Sequence, residues 1–133
     1  MRACSIFAPL GATAAIALAS ANPSRSFDDK QFCQAMTEIG RAGNADAGTW
    51  IDRYTRNDGI EVLCNFRTVH FKKFLKASST ILREGWQEGK KQDWNSIHCN
   101  NPIWREAIDH GWIISMTMTT ATEERVWFAA TCK

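Results

Sequence analysis

The chain has 133 residues, 44% of them hydrophobic, with 16 basic side chains against 14 acidic ones and a net charge of +2. That length bounds the fold to one domain of ordinary size, able to bury a core, and excludes a multidomain array. A near balance of charge points to no partner by itself, so any signal must lie in how the charge is distributed.

The first 21 residues read as a secretory signal peptide. Arg2 gives a positive start, residues 3–19 are uncharged and mostly apolar, and Ala19-Ser20-Ala21 is a small-x-small cleavage pattern. Pro9 and Gly11 interrupt the run, which is short for a bilayer span and ends at a cleavable motif, so a membrane anchor fits less well. Cys4 lies too early for a lipoprotein signal. No later stretch is long and apolar enough to cross a membrane. The expected mature domain is residues 22–133, exported to the periplasm or the extracellular space. It keeps four cysteines, Cys33, Cys64, Cys99 and Cys132, an even number in an oxidising compartment.

Ser26 is a plausible cap for a first helix, with Asp28 and Asp29 at its positive end. Phe32, Ala35, Met36 and Ile39 make the apolar stripe, and Gly40 and Gly43 read as stop signals. Residues 49–69 read as a hairpin turning at Asn57-Asp58-Gly59, with Ile60, Val62, Cys64 and Phe66 inward. A third strand follows, with Val69, Phe71 and Leu75 inward. A second helix is expected from Ser78 or Ser79 to Cys99, with Leu82, Trp86 and Ile97 on one face. Its Gly85 and Gly89 each weaken it by about 1 kcal/mol, and mark either a close approach or a break. A short helix then has both ends signed: Asn101 caps it, Pro102 opens it and Gly111 ends it. Strands with Trp112, Ile114, Met116 and Met118 inward, then Val126, Phe128, Ala130 and Cys132 inward, close the chain.

The expected fold class is therefore α+β: an antiparallel sheet of four to five strands with helices packed on one face. The two halves are alike. Each runs cysteine, helix, a Trp-Ile pair (Trp50-Ile51, Trp112-Ile113), a turn, and a strand ending in an inward cysteine. This is either an α-β-β duplication or the ordinary regularity of such folds. In both cases the pattern favours the disulfides Cys33–Cys64 and Cys99–Cys132. Loops of that length are worth roughly 3–4 kcal/mol each in the chain-entropy model.

Candidate functional residues are few. His98, Cys99 and His110 could be metal ligands, but no CxxC or HExxH occurs and a cysteine in this compartment pairs as a disulfide, so no metal or cofactor is expected. Asp109 beside His110, with His98 and His70, is a weak acid-base set; a histidine closing a helix explains His110 equally well. From Arg67 to Lys91 the basic residues Arg67, Lys72, Lys73, Lys76, Arg83, Lys90 and Lys91 face only Glu84 and Glu88, leaving the rest of the mature chain acidic. Of six tryptophans, Trp50, Trp104 and Trp112 fit the core. Trp94 falls off its helix stripe, and Trp127, beside Arg125, lies on the outer face of the last strand. These features read best as a non-catalytic binding domain for a protein or an anionic envelope component, with nucleic acid disfavoured by export. The alternatives are a small exported histidine-dependent hydrolase, ribonuclease-like or other, and an envelope accessory protein for secretion or surface assembly.

Overall fold

A computed structural model describes residues 26–133; the expected leader and Cys4 lie outside the described residues. Helix α1 spans Asp29–Ala45. Asp28, rather than Ser26, caps it, its carboxylate accepting from the Lys30 and Gln31 N–H groups. Phe32 and Met36 face the core, while Ala35 and Ile39 of the expected stripe are exposed. The helix runs through Gly40 and Gly43, which were expected to stop it. Both glycines lie against the sheet. A Cβ on Gly40 would sit 3.0 Å from Val62 Cγ2, and one on Gly43 would overlap Ile60. They are contact points and not terminators.

The first strand, β1, is Thr55–Leu63, so the expected hairpin turn at Asn57-Asp58-Gly59 lies inside it. There it forms an irregularity in the register: Asn57 pairs with Lys73 and Gly59 with Lys72. Gly59 has φ +121°, and the Asn57 side chain accepts its N–H at 3.1 Å. Turn chemistry thus served as a bulge, which needs the same left-handed residue. The chain reverses instead at a 3₁₀ turn, Cys64–Phe66, which leaves Phe66 73% exposed and not inward. Strand β2 is Thr68–Leu75.

Helix α2 spans Trp86–Cys99 and starts later than expected; residues 78–85 are turns, and Gly85 (φ +81°) precedes the helix. Its buried residues are Trp94 and His98, whereas Ile97 is exposed. Helix α3, Pro102–Asp109, keeps both its signed ends. Asn101 accepts from the Ile103 and Trp104 N–H groups, and the Trp112 N–H returns to the Ala107 carbonyl past Gly111. Strands β3 (Ile113–Thr120) and β4 (Arg125–Ala129) complete the chain.

The four strands lie in the order β1-β2-β3-β4. The outer pairs are antiparallel, but β2 and β3 are parallel, so the sheet is mixed. Two helices intervene between β2 and β3, and such a crossover returns the chain in the same direction. The inner face carries Val69, Ile114, Met116, Met118, Phe128 and Ala130, which pack with Phe32, Met36, Trp94 and Ala107 of the helices. Both disulfides pair as the pattern favoured, Cys33–Cys64 and Cys99–Cys132. Each ties a helix to the chain just beyond a strand. The halves do not repeat, however. One strand separates Cys33 from Cys64, whereas a helix and two strands separate Cys99 from Cys132, and Trp50-Ile51 opens no strand. No helix among the described residues is long and apolar enough to cross a membrane.

Candidate functional site

The two edges of the sheet differ. Along β1 the outward backbone of Thr55, Asn57 and Ile60 is covered. The Asn44 side chain accepts the Ile60 N–H and donates to the Ile60 carbonyl, both at 2.8 Å. The Gly48 N–H donates to the Asn57 carbonyl, and the Asn57 N–H to the Thr49 carbonyl. Trp50 bridges to Arg56. That edge is closed by α1 and the segment after it.

Along β4 the corresponding backbone is open. The Ala130 N–H donates to the Ile114 carbonyl, and the Thr120 N–H to the Glu124 carbonyl. Antiparallel pairing alternates, so even-numbered residues of β4 bond to β3 and Arg125, Trp127 and Ala129 point their N–H and C=O groups outward. Only at Thr131, beyond the strand, does a side chain of α2 take up an outward group: Asn95 accepts its N–H at 2.9 Å. Trp127 stands over this edge, 61% exposed. Beside it runs a groove of about 470 Å³ between β4 and the Gln87, Glu88 and Lys91 side of α2. Arg125 is exposed on the same face as Trp127.

The outer face inward from Trp127 is a row of small hydroxyls, Ser115, Thr117 and Thr119. His70 lies across it, with Nδ1 2.8 Å from Ser115 Oγ and Nε2 3.0 Å from Thr117 Oγ1. Burial lowers its pKa from the ordinary histidine range, with Glu61 opposing and Lys72 assisting.

The three histidines stand apart. His98 is on the opposite face of the sheet, in the core. Its Nδ1–H donates to the Trp94 carbonyl at 2.8 Å, and its ring packs on Trp94, Trp104 and Phe71. Burial is the main cause that holds its pKa low. His110 ends α3, donating from Nδ1 to the Glu106 carbonyl and stacking on Phe27. Asp109 does not reach it; the Arg105 guanidinium holds Asp109. Cys99 is a disulfide sulfur and not a thiolate.

The basic stretch does not form one surface. Lys72 lies on the outer face, 3.7 Å from Glu61, and Lys76 reaches over Trp50. Arg67 pairs with Asp29, and Arg83 is exposed in the turn before α2. Lys91 borders the Trp127 groove. Lys73 and Lys90 share a separate inner cavity.

Two tryptophans depart from expectation. Trp94 is buried, donating Nε1–H to the Ile114 carbonyl at 2.9 Å among Phe71, His98 and Phe128. Trp50, expected in the core, is 47% exposed and packed by Phe74 and Arg56. The alternation of β4 marked Trp127 in the sequence. The outward backbone of its strand, and the α2 residues that flank it, had no sequence signal, because an open edge exists only once strand order is set.

No protein-family model and no curated protein matches the chain. Among solved structures, the fold is similar to that of a Pseudomonas aeruginosa protein assigned as secreted. The TM-score is 0.56 at 15% identity, over 79% of this chain and 95% of the other. At that identity the likeness establishes the shared fold.

Proposed function

We propose that this protein is an exported, non-catalytic binding domain that takes an extended segment of a partner protein along the free edge of β4. Export is supported by the leader pattern, by the two disulfides, and by the fold shared with a protein assigned as secreted. The binding reading rests on one observation: the β1 edge is closed and the β4 edge is open, with a solvent-exposed tryptophan over it. An unprotected edge is a template for strand pairing, and natural sheets normally block it. Main-chain bonds to Arg125, Trp127 and Ala129 would supply affinity. Trp127 on one side, and Gln87, Glu88 and Lys91 on the other, would select side chains of the added strand. An accessory role in surface assembly is one form of this activity. The hydrolase alternative finds no support, since Asp109, His110, His98 and His70 do not converge.

The test is selection of displayed random peptides on the domain of residues 22–133, followed by amide NMR mapping. Ala129→Pro removes an outward N–H without touching the β3 ladder, and Trp127→Ala removes the anchor. Selected peptides should shift residues 125–129, and each variant should bind about tenfold or more weakly. Failure to select any peptide, or binding indifferent to both changes, would overturn the proposal. So would a complex formed only between two copies of the domain.

A further inference from the structure

A second concavity lies on the inner side of the sheet, away from Trp127. Its main part, about 610 Å³, is walled by Tyr54, Leu75, Ala77, Ile81, Leu82 and Trp86. That size is typical of small-molecule pockets, about 300–1,000 Å³. At its rim Ile81 is 76% exposed and Tyr54 also stands in solvent, beside the exposed Asp52 and Arg53, and Ile51 is exposed at the rim of an adjoining space. Single exposed apolar side chains are ordinary, but several gathered at the rim of one cavity are not.

Across the shared walls Asp52, Thr55 and Lys90 the cavity adjoins this smaller space of about 180 Å³, lined by Lys73, Trp94, Met116 and Met118. Lys73 is the only charged side chain that β2 sends to the inner face. Among the described residues it makes no ion pair within 4.0 Å, and its ammonium lies 5.7 Å from the centre of the Trp94 ring. Three cations, Arg53, Lys73 and Lys90, line the two spaces against two carboxylates, Asp52 and Asp93. Asp52 is already engaged, accepting both the Tyr54 and Thr55 N–H groups at 2.8 Å. Asp93 is exposed. Across the two spaces the cations therefore outnumber the carboxylates by one.

We infer that this cavity binds a single-chain amphiphile with an anionic head, a free medium-chain carboxylate, its chain along Leu75, Leu82 and Trp86 and its carboxylate between Lys73 and Lys90. The site is separate from the β4 edge and stands or falls without it. Burial, and after it the nearby charge of Lys90, lowers the Lys73 pKa from the ordinary lysine range, and Asp52 opposes this. An added anion would reverse the effect of Lys90 and favour the ammonium.

Dodecanoate is the probe, added below its micelle concentration and followed by calorimetry, with dodecanol and dodecyltrimethylammonium as controls for the head. Dodecanoate should bind saturably at one site, with both controls about tenfold or more weaker. Lys73→Met keeps the apolar stem and should erase the preference for dodecanoate over dodecanol. Leu82→Asp, at the half-buried wall of the cavity, should abolish binding of both. Thermal melts of each variant separate lost binding from lost folding. Vesicles containing phosphatidylglycerol form the second arm, and no binding to them is expected. Equal affinity for dodecanoate and dodecanol, an unaltered preference in folded Lys73→Met, or binding to vesicles but not to dodecanoate would overturn the inference.

Discussion

Glycine at two helical positions provides a test of how α1 meets the sheet. In a helix interior, Gly→Ala is worth about 1 kcal/mol in favour of the folded state. At Gly89 of α2 a Cβ meets nothing within 4 Å, so Gly89→Ala should gain that full amount. At Gly43 of α1 a Cβ would overlap the Ile60 δ-methyl and lie 3.0 Å from Ile60 Cγ1. Ile60 cannot simply retreat, because Asn44, one residue along α1, holds both its N–H and its C=O. Overpacking of this kind costs about 1–3 kcal/mol. Gly43→Ala should therefore be neutral to about 2 kcal/mol destabilising once the helix gain is subtracted. The two variants should differ by about 1–3 kcal/mol, or roughly 4 °C in Tm for each kcal/mol. Urea unfolding followed by tryptophan fluorescence measures this directly, with an unchanged m-value as the control. If Gly43→Ala raises the midpoint as far as Gly89→Ala does, α1 does not approach β1 this closely and the reasoning fails.

Other outcomes follow from the same contacts. Burial holds the pKa of His98 and His70 below that of an unfolded histidine, about 6.5. Between the folded and unfolded values the unfolded chain binds more protons. Stability should be complete above about pH 6.5 and fall as pH drops below it. His98→Phe, which keeps a ring against Trp94, should make the urea midpoint less sensitive between pH 7.5 and 5.5; an unchanged pH profile would contradict the buried neutral imidazole. Replacing Cys33 and Cys64 together by alanine should lower stability by about 3–4 kcal/mol, because the bond closes a loop of 31 residues. A change under 1 kcal/mol in denaturant melts would show that this staple adds little. Asn44→Ala should cost about 1–3 kcal/mol, since it leaves the Ile60 N–H and C=O without their partner. Hydrogen exchange at the Ile60 amide should accelerate in that variant, and unaltered protection there would refute the edge-capping role.

Much of the frame was legible in local order. The likeness of the two halves led to both disulfide pairs, a capping asparagine with the following proline located α3, and period-two alternation located β3 and β4 with the correct faces inward. The helix and strand features rest on residues near one another in the chain, or on a pattern that each strand carries alone, and the disulfides on the order of elements along it. What failed was whatever depends on a distant neighbour. Asn57-Asp58-Gly59 suits a turn or a bulge, and only the β2 partner made it a bulge. Gly40 and Gly43 suit a helix end or a close contact, and only Ile60 and Val62 made them contacts. Trp94 and Trp127 each broke with their neighbours' pattern. Trp94 is buried because α2 lies over β3 and β4, and Trp127 is exposed because it stands on the outer face of the edge strand β4. The candidate site shows the same division: the sequence determined an outward tryptophan, while strand order alone determined that the backbone beneath it is free.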